Sequence, residues 1–576
     1  MKLIRVNMTN QQISVQDVAR QYAGLGGRGL TAAIISSEVP PGCDPLGPEN
    51  KLVFAPGLLS GTTVVNTSRI SVGAKSPLTG TIKESNAGGK VGSCLGKLGI
   101  TGVIVEGQAP EGTILQLIID ETGHASLMDA SEYQGMRTYS LAEKLFETHG
   151  SANTCMCIGP AGEYRLKSAS IQTTDVDDRP CRAAGRGGLG AVMGSKGLKA
   201  IVVSTGGKSP DAIEDQETFK EYGKILAQTI QKNPFTGKVL PNLGTAGLVS
   251  GVNSLGAFPS YNATNGVFDQ WEKISGEAMA EIIEKRGGKT KHLGCSQCII
   301  QCSNEYVDEK GKYITGSLEY ETIWSMGGMT GIDDLDVIAR LDFLCDDIGL
   351  DTMNTGIAVA VAMDAGYKPF GDGRAALEMV EEIGQGTEMG KILGNGPDAV
   401  GRHFNHHRVP TVKGQGIAAY DPRAMQGNGV TYATSTMGAD HTAGNLIGQY
   451  LSKKLDPLSP EGQVKASRSA QITMAGLDCT GLCLLAATVL AVPDAAEALD
   501  KLVRARTGVS YAEDALTDMG KQTLQLEREF NRKAGVTSKD DRLPGFFSKE
   551  PLPPHNVVFK VKDEELDEVY NFLKTK

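Results

Sequence analysis

Apolar residues are spaced in two different ways along this chain, and the switch between them constrains the fold more than any single motif. Up to about residue 206, short apolar runs of strand length alternate with Gly and Pro turn signals, at 51–55, 68–74, 102–106, 114–119, 168–172 and 199–204. From about Gly207 the apolar residues recur at helical intervals instead, at 216–231, 277–285, 335–347, 356–365, 374–384 and 512–531. A chain of 576 residues also exceeds what one hydrophobic core serves. The pattern predicts an α+β multidomain protein: a β-rich domain over 1–206, then two mainly α-helical domains over 207–412 and 413–576. The second boundary is placed near 410–415. The opening MKLIRVNMTNQQISV alternates polar and apolar residues and predicts a strand. It has no apolar h-region or small-residue cleavage site, which argues against export by its own signal. The densest apolar run, 482–492, has the length of a buried helix and not of a membrane span. The last segment, 564–574, predicts an amphipathic helix.

Charge narrows the partners. The net charge is −10 and the basic residues form no tract, which argues against a nucleic-acid surface and against a membrane-surface helix. Eleven cysteines, an odd number spread over a large chain, do not resemble a secreted disulfide framework. They predict reduced thiols in a cytoplasm, with some reserved for metal. The 72 glycines keep no fixed period, so collagen-like and low-complexity readings fail.

Cys295, Cys298 and Cys302 stand as C-x-x-C-x-x-x-C in GCSQCIIQCSN. Three thiolates within eight residues can share one polynuclear site if the backbone wraps around it, and an iron–sulfur cubane takes its fourth thiolate from elsewhere. Ile299 and Ile300 within the loop would exclude water. A structural zinc, with His292 or a distant Cys as fourth ligand, fits the same spacing. A radical-SAM loop does not, because it spaces its cysteines x3 and then x2.

Two segments match each other. Asp346-Asp347-Ile348-Gly349-Leu350-Asp351 and Asp478-Cys479-Thr480-Gly481-Leu482-Cys483 each set a carboxylate three residues before a glycine and then start a helix. Such a carboxylate can accept hydrogen bonds from a heterocycle's N–H groups, and the helix start offers unpaired backbone donors to an anion. Singly, each is also ordinary capping; as a pair they suggest two similar ligand moieties. Cys483, at the end of the second, is a candidate fourth ligand. GRGGLG at 185–190 has the dinucleotide spelling, but DDRPCRAA before it is not a clear strand, and no acidic residue follows at the required distance.

At this point the chain resembles the tungsten-dependent aldehyde ferredoxin oxidoreductases along nearly its whole length. The resemblance rests on GGRGL (26–30), NTSRISVGAKSPLTGTIKESNAGG (66–89), CRAAGRGGLGAVMGSKGLKAI (181–201), GCSQCIIQC, LEYET (318–322), both D-x-x-G turns, AYDPR (419–423), GADH (438–441) and EREFNRKAG…DDRLP (527–544). It implies a β-rich first domain forming the base for two pterin dithiolenes that hold tungsten (or molybdenum) without a protein ligand. It implies that Cys295, Cys298, Cys302 and Cys483 ligate a [4Fe–4S] cluster and that Arg69 bridges cluster and pterin. Asn86 and the Ala183 region fall where backbone carbonyls help hold a magnesium between the pterin phosphates, and Asp346, Asp351 and Asp478 fall on the pterin-binding turns. Glu319, Glu321 and His441 fall where the family keeps its active-site carboxylate and histidine; spacing alone does not separate the two glutamates.

The implied activity is oxidation of an aldehyde to a carboxylic acid with water, electrons leaving through the cluster to ferredoxin or a small Fe–S subunit. A homo-oligomer or hetero-complex is expected by analogy. Some members bridge a dimer through a metal held by a middle-domain Glu and His; no His occurs between Cys302 and His403, so that site is not expected. His403 and His407 have a helical metal-ligand spacing, yet with His406 they read better as a surface helix end. Two rivals stay open: a catalytic subunit of the tungsten benzoyl-CoA reductase type, and a non-catalytic Fe–S or structural-zinc protein.

Overall fold

The computed structural model describes residues 1–206, 213 and 215–573. Its first part is one topology built twice. Strands β1 (Lys2–Asn7), β2 (Gln12–Asp17), β3 (Leu52–Pro56), β4 (Ile70–Lys75), β5 (Ile82–Ala87) and β6 (Ile100–Glu106) form a sheet in the order β2-β1-β6-β3-β4-β5. Strands β7 (Leu115–Ile119), β8 (Ala125–Asp129), β9 (Asn153–Cys157), β10 (Ile171–Thr173), β11 (Arg182–Ala184) and β12 (Leu198–Ser204) form a second, read as β8-β7-β12-β9-β10-β11. Adding six to each strand of the first sheet gives the second. The pairings agree as well: β1–β6 and β7–β12 are parallel and the other neighbours antiparallel. The inner faces share one core, which includes Phe54, Val72 and Val103 of one sheet and Leu117, Met156 and Ile201 of the other.

The duplication has a sequence trace. Val91-Gly92, Leu95-Gly96 and Gly99 repeat as Leu189-Gly190, Met193-Gly194 and Gly197, on the helices Val91–Lys97 and Leu189–Ser195. A Cβ on Gly92 would meet the Ser68 carbonyl oxygen, and one on Gly190 that of Ser170. Gly96 and Gly194 likewise abut the carbonyls of Ser60 and Gly162. Each helix thus lies directly on a loop of its own sheet, a closeness that only glycine permits. This repeat accounts for GRGGLG. A strand does precede it, contrary to the reading above, but β11 is a three-residue antiparallel edge strand and not the parallel strand of a dinucleotide site.

The rest is mainly helical. The helix Thr352–Asp364 is buried nearly all round, as its apolar run requires. The helix Gln216–Lys232 packs against Pro493–Thr507, and Gln463–Thr480 packs against Ala515–Lys533 and against Gly27–Glu38 of the base. Residues far apart in sequence therefore close around the base.

Several local expectations need correction. The amino terminus is a hairpin of β1 and β2, not one strand. The strand expected at 168–172 is only β10. The run 482–492 breaks into Leu484–Ala487 and a 3-10 turn, Thr488–Ala491, before Pro493 starts a new helix. At the carboxyl end only Asp563–Leu566 is α-helical, with Asn571–Leu573 a 3-10 turn; Lys574 lies outside the described residues, as do 207–212 at the expected first boundary. His403 lies in the last turn of the helix Pro397–Phe404, and Asn405 is left-handed, so His403 and His407 share no helical face. His406 instead meets Asp364 at 2.8 Å, and His407 meets Glu550 at 3.2 Å.

Candidate functional site

The two D-x-x-G turns are built and seated alike. Asp346 lies in the last turn of the helix Leu335–Ile348, closed by Gly349 at φ 81°; Asp478 lies in the last turn of Gln463–Thr480, closed by Gly481 at φ 83°. Glycine takes this left-handed cap without strain. The Gly349 carbonyl accepts from the Ser170 N–H at 2.9 Å, and the Asp351 N–H donates to the Ser168 carbonyl at 2.9 Å. In the second turn the Gly481 carbonyl accepts from the Arg69 N–H at 3.2 Å, and the Cys483 N–H donates to the Asn66 carbonyl at 2.8 Å. Ser168–Ser170 leads into β10 and Asn66–Arg69 into β4, its counterpart in the repeat. Each half of the base therefore receives one turn. Asn86 on β5 and Ala183 on β11 lie on the edge strands that meet between the halves.

Between base and helices lies a cavity of about 760 Å³, and all thirteen site residues of the sequence analysis line it. The thiols of Cys295, Cys298, Cys302 and Cys483 are free, as are the other seven. The loop wraps by placing Gln297 and Gln301 in left-handed conformations. Asn66 Nδ2 donates to Cys298 Sγ at 3.2 Å, and Arg69 Nη2 to Cys483 Sγ at 3.4 Å. Burial opposes the Cys483 thiolate, but the Arg69 guanidinium outweighs it and holds that thiol below its usual range. Burial pushes the Cys298 thiol up to about 11. Four thiolates on one zinc ion stand about 3.8 Å apart, given Zn–S of about 2.3 Å. Among the described residues, the one group of three ligand atoms mutually within 4.8 Å is Asp175, Asp177 and His292, so the four sulfurs ring a larger space. His292 turns its Nε2 to Asp177 Oδ2 at 2.7 Å.

Glu319 and Glu321 face different neighbours. Glu319 stands at the N-cap position of the helix Tyr320–Met326 without a capping hydrogen bond from its side chain; it accepts from Ser317 Oγ at 2.8 Å and from Thr245 Oγ1, and pairs with Arg182 at 3.4 Å, on the cysteine side. Glu321 accepts from the Ala419 N–H at 3.0 Å and sets Oε1 3.3 Å from His441 Nε2. Burial raises the Glu321 carboxyl, with His441 pulling the other way. Glu321 Oε1 and His441 Nδ1 are buried without a hydrogen-bond partner among the described residues.

Asp346 has no hydrogen bond on its carboxyl among the described residues, and burial together with Asp342 pushes its pKa well up. Asp351 caps the helix Thr352–Asp364 through the Met353 N–H and lies 3.5 Å from Arg186 Nε. Asp478 is raised by burial and by Glu84, although Arg28 stands 3.3 Å away. Sequence reading missed Arg182, whose Nε is buried without a partner, and Lys83, which holds Asp440 at 2.7 Å beside His441. Basic residues at the start of the two edge strands, β5 and β11, of a duplicated base were the available signal.

Comparison with known proteins covers this whole assembly. A family model described as aldehyde ferredoxin oxidoreductase, N-terminal domain, matches residues 3–205, and one described as aldehyde ferredoxin oxidoreductase, domains 2 & 3, matches residues 221–574. The chain is 34% identical to the tungsten-containing aldehyde ferredoxin oxidoreductase of Pyrococcus furiosus, over 96% of this chain and 92% of that one. The same figures hold for the protein of that name from Thermococcus kodakarensis. Identity is 28% to an aliphatic sulfonate oxidoreductase, WOR-like subunit, of Pyrococcus furiosus, over 77% of this chain and 74% of that one. Among solved structures, the active site complex BamBC of benzoyl coenzyme A reductase, in complex with 1,5-dienoyl-CoA, superposes with a TM-score of 0.81 at 21% identity, over 100% of this chain and 94% of that one. The last likeness shows the fold. No helix of the described residues is long and apolar enough to cross a membrane. With both family models laid end to end over the base and the helices that close on it, the chain belongs to the aldehyde ferredoxin oxidoreductase family.

Proposed function

We propose that this protein oxidises aldehydes to carboxylic acids with water as the oxygen source. The observation that carries the reading is the Glu321–His441 pair: both residues line the cavity, and each keeps a buried polar atom without a hydrogen-bond partner among the described residues. A buried polar atom without a partner is costly, and a bound group that supplies one removes the cost. The donor set fits a bis-pterin tungsten centre and a [4Fe–4S] cluster. Cys295, Cys298, Cys302 and Cys483 would hold the cluster; Asp346, Asp351 and Asp478 would bind the pterins, and the Asn86 and Ala183 edges a magnesium between their phosphates. The relatives' names favour tungsten over molybdenum. When bound, the metal centre takes the two electrons of aldehyde oxidation and the cluster carries them out singly to ferredoxin or a small Fe–S subunit.

The chain's own residues do the rest. His441 donates a hydrogen bond to the aldehyde oxygen as negative charge grows on it. Glu321, as carboxylate, takes a proton from the attacking water, and burial raises its pKa above the ordinary carboxylate value, which makes it a stronger base. Arg69, which contacts both Cys483 Sγ and Asn86 Oδ1, would bridge cluster and pterin. Reduced thiols throughout fit work in the cytoplasm.

The test is metal and pterin analysis of anaerobically purified protein together with aldehyde-dependent viologen reduction. Four irons and one tungsten per chain with aldehyde activity are expected. The same metals without that activity would turn the reading toward a thioester reductase, and zinc without pterin would end it.

A further inference from the structure

We infer that substrate enters between the helices Leu248–Ser254 and Ile447–Leu451, and that this passage selects uncharged, apolar aldehydes with Gly448 as its size limit. The inference rests on the aldehyde reading of the site and adds the substrate class. Every charged residue lining the cavity belongs to the base, to the two turns and the helices leading into them, to the start of the helix Tyr320–Met326, or to Asp440–His441. The wall made by Leu248, Tyr420, Ile447, Gly448 and Leu451 carries none.

Leu451 marks the mouth. It lines the cavity yet is 47% exposed, and its Cδ2 stands 3.7 Å from the place a Cβ on Gly251 would take. The two helices therefore face each other at an opening. Inward from them, the Tyr420 ring stands 5.9 Å from the His441 ring. An aldehyde whose oxygen reaches His441 keeps its substituent against this neutral wall. A carboxylate, phosphate or sulfonate on that substituent would lose water and meet no cation there. Lys453 and Lys454 follow the second helix but are exposed and lie outside the lining.

Gly448 lines the cavity, is exposed, and has no atom within 4 Å of where its Cβ would stand. A side chain there starts in open space at the mouth, so its first carbon displaces nothing.

The test uses the anaerobically purified, metal-loaded protein, with two benzyl viologens reduced per aldehyde consumed. Phenylacetaldehyde should exceed succinic semialdehyde in kcat/KM by about tenfold or more. Gly448→Phe should cut phenylacetaldehyde about tenfold more than acetaldehyde. Leu451→Arg should raise succinic semialdehyde against phenylacetaldehyde about threefold, the scale of one exposed ion pair. Calorimetry with phenylacetamide, an unreactive neutral analogue, reads the passage without turnover, and Gly448→Phe should weaken its binding. Equal use of the two long aldehydes by the wild type, or an equal effect of Gly448→Phe on all substrates, would overturn the inference. If no aldehyde is oxidised, the functional reading falls; phenylacetamide binding that Gly448→Phe still weakens would then keep the passage, and binding that it leaves unchanged would end it too.

Discussion

His441 Nε2 lies 3.3 Å from Glu321 Oε1, with both side chains about 15% exposed, and the two residues come from helical segments 120 positions apart. Among the described residues neither the Glu321 oxygen nor the distal His441 nitrogen has a hydrogen-bond partner, the latter lying 4.0 Å from Asp440 Oδ1. The pair is held from both sides. The Ala419 N–H fixes the glutamate, and Asp440, anchored by Lys83 and capping through the Thr442 N–H, fixes the turn that carries the histidine.

Glu321 sets a pH dependence. Burial raises its folded pKa above the ordinary 4.5, so the protonated form persists to higher pH than in the unfolded chain. Its contribution to stability is present below the unfolded pKa and is lost as pH rises through the folded one. The base form appears over the same rise. The acid limb of kcat/KM should therefore lie above pH 4.5, and Glu321→Gln should abolish that limb while lowering kcat by roughly 10²–10⁴. A Gln variant at the wild-type rate would remove Glu321 from the chemistry.

His441→Asn tests the oxygen-binding role. A lost donor to a developing oxyanion costs about 10²–10³ in kcat. Iron and tungsten contents should stay at the wild-type level, since His441 contacts Glu321, Asp440 and Tyr420 and neither the four cysteines nor the aspartates of the two turns. Metal loss in step with activity would make it a cofactor-binding residue instead.

Arg69 should tune the cluster. It is the cation beside Cys483, and its Nη1 also reaches toward Asn86 Oδ1 at 3.5 Å. Removing it in Arg69→Met leaves the thiolate uncompensated, which disfavours the extra electron. A redox titration followed by electron paramagnetic resonance should show a more negative cluster potential. Arg69→Lys should fall between, keeping the charge but losing the fork. An unchanged potential in both variants would place Arg69 away from the cluster's field.

Each turn sits on a glycine of the base. A Cβ on Gly159 would meet the Ile348 carbonyl, and one on Gly57 the Gly481 backbone. Gly57→Ala and Gly159→Ala should each cost about 1–3 kcal/mol and lower pterin content, read by thermal unfolding and metal analysis. Gly42→Ala, with open space at its Cβ, should change neither. Full pterin content in both turn variants would show that the seats yield.

Family and class of fold were legible in the sequence because they are carried by local patterns, and the same patterns picked out thirteen residues that line one cavity. Period-2 and period-3.6 spacing marks strands and helices, and a carboxylate before a left-handed glycine marks each turn. The duplicated base was written there too, in the repeated V/L-G-x-x-L/M-G-x-x-G, but its two copies share little beyond glycines, and the repeat is plain only once the strands are ordered. Two apolar segments were misread because Pro493 and the short turns at the carboxyl end break helices that composition alone favours.

What only the tertiary structure decided is which residues meet. Glu319 and Glu321 stand two residues apart, and spacing cannot separate them; at a helix start, two positions are a turn of about 200°, which sends one toward the cysteines and the other toward His441. Arg69 meets Cys483 across 414 residues, and Lys83 meets Asp440 across 357. Such contacts are set by how buried surfaces close on one another, a property of the packed whole that no local run of residues contains.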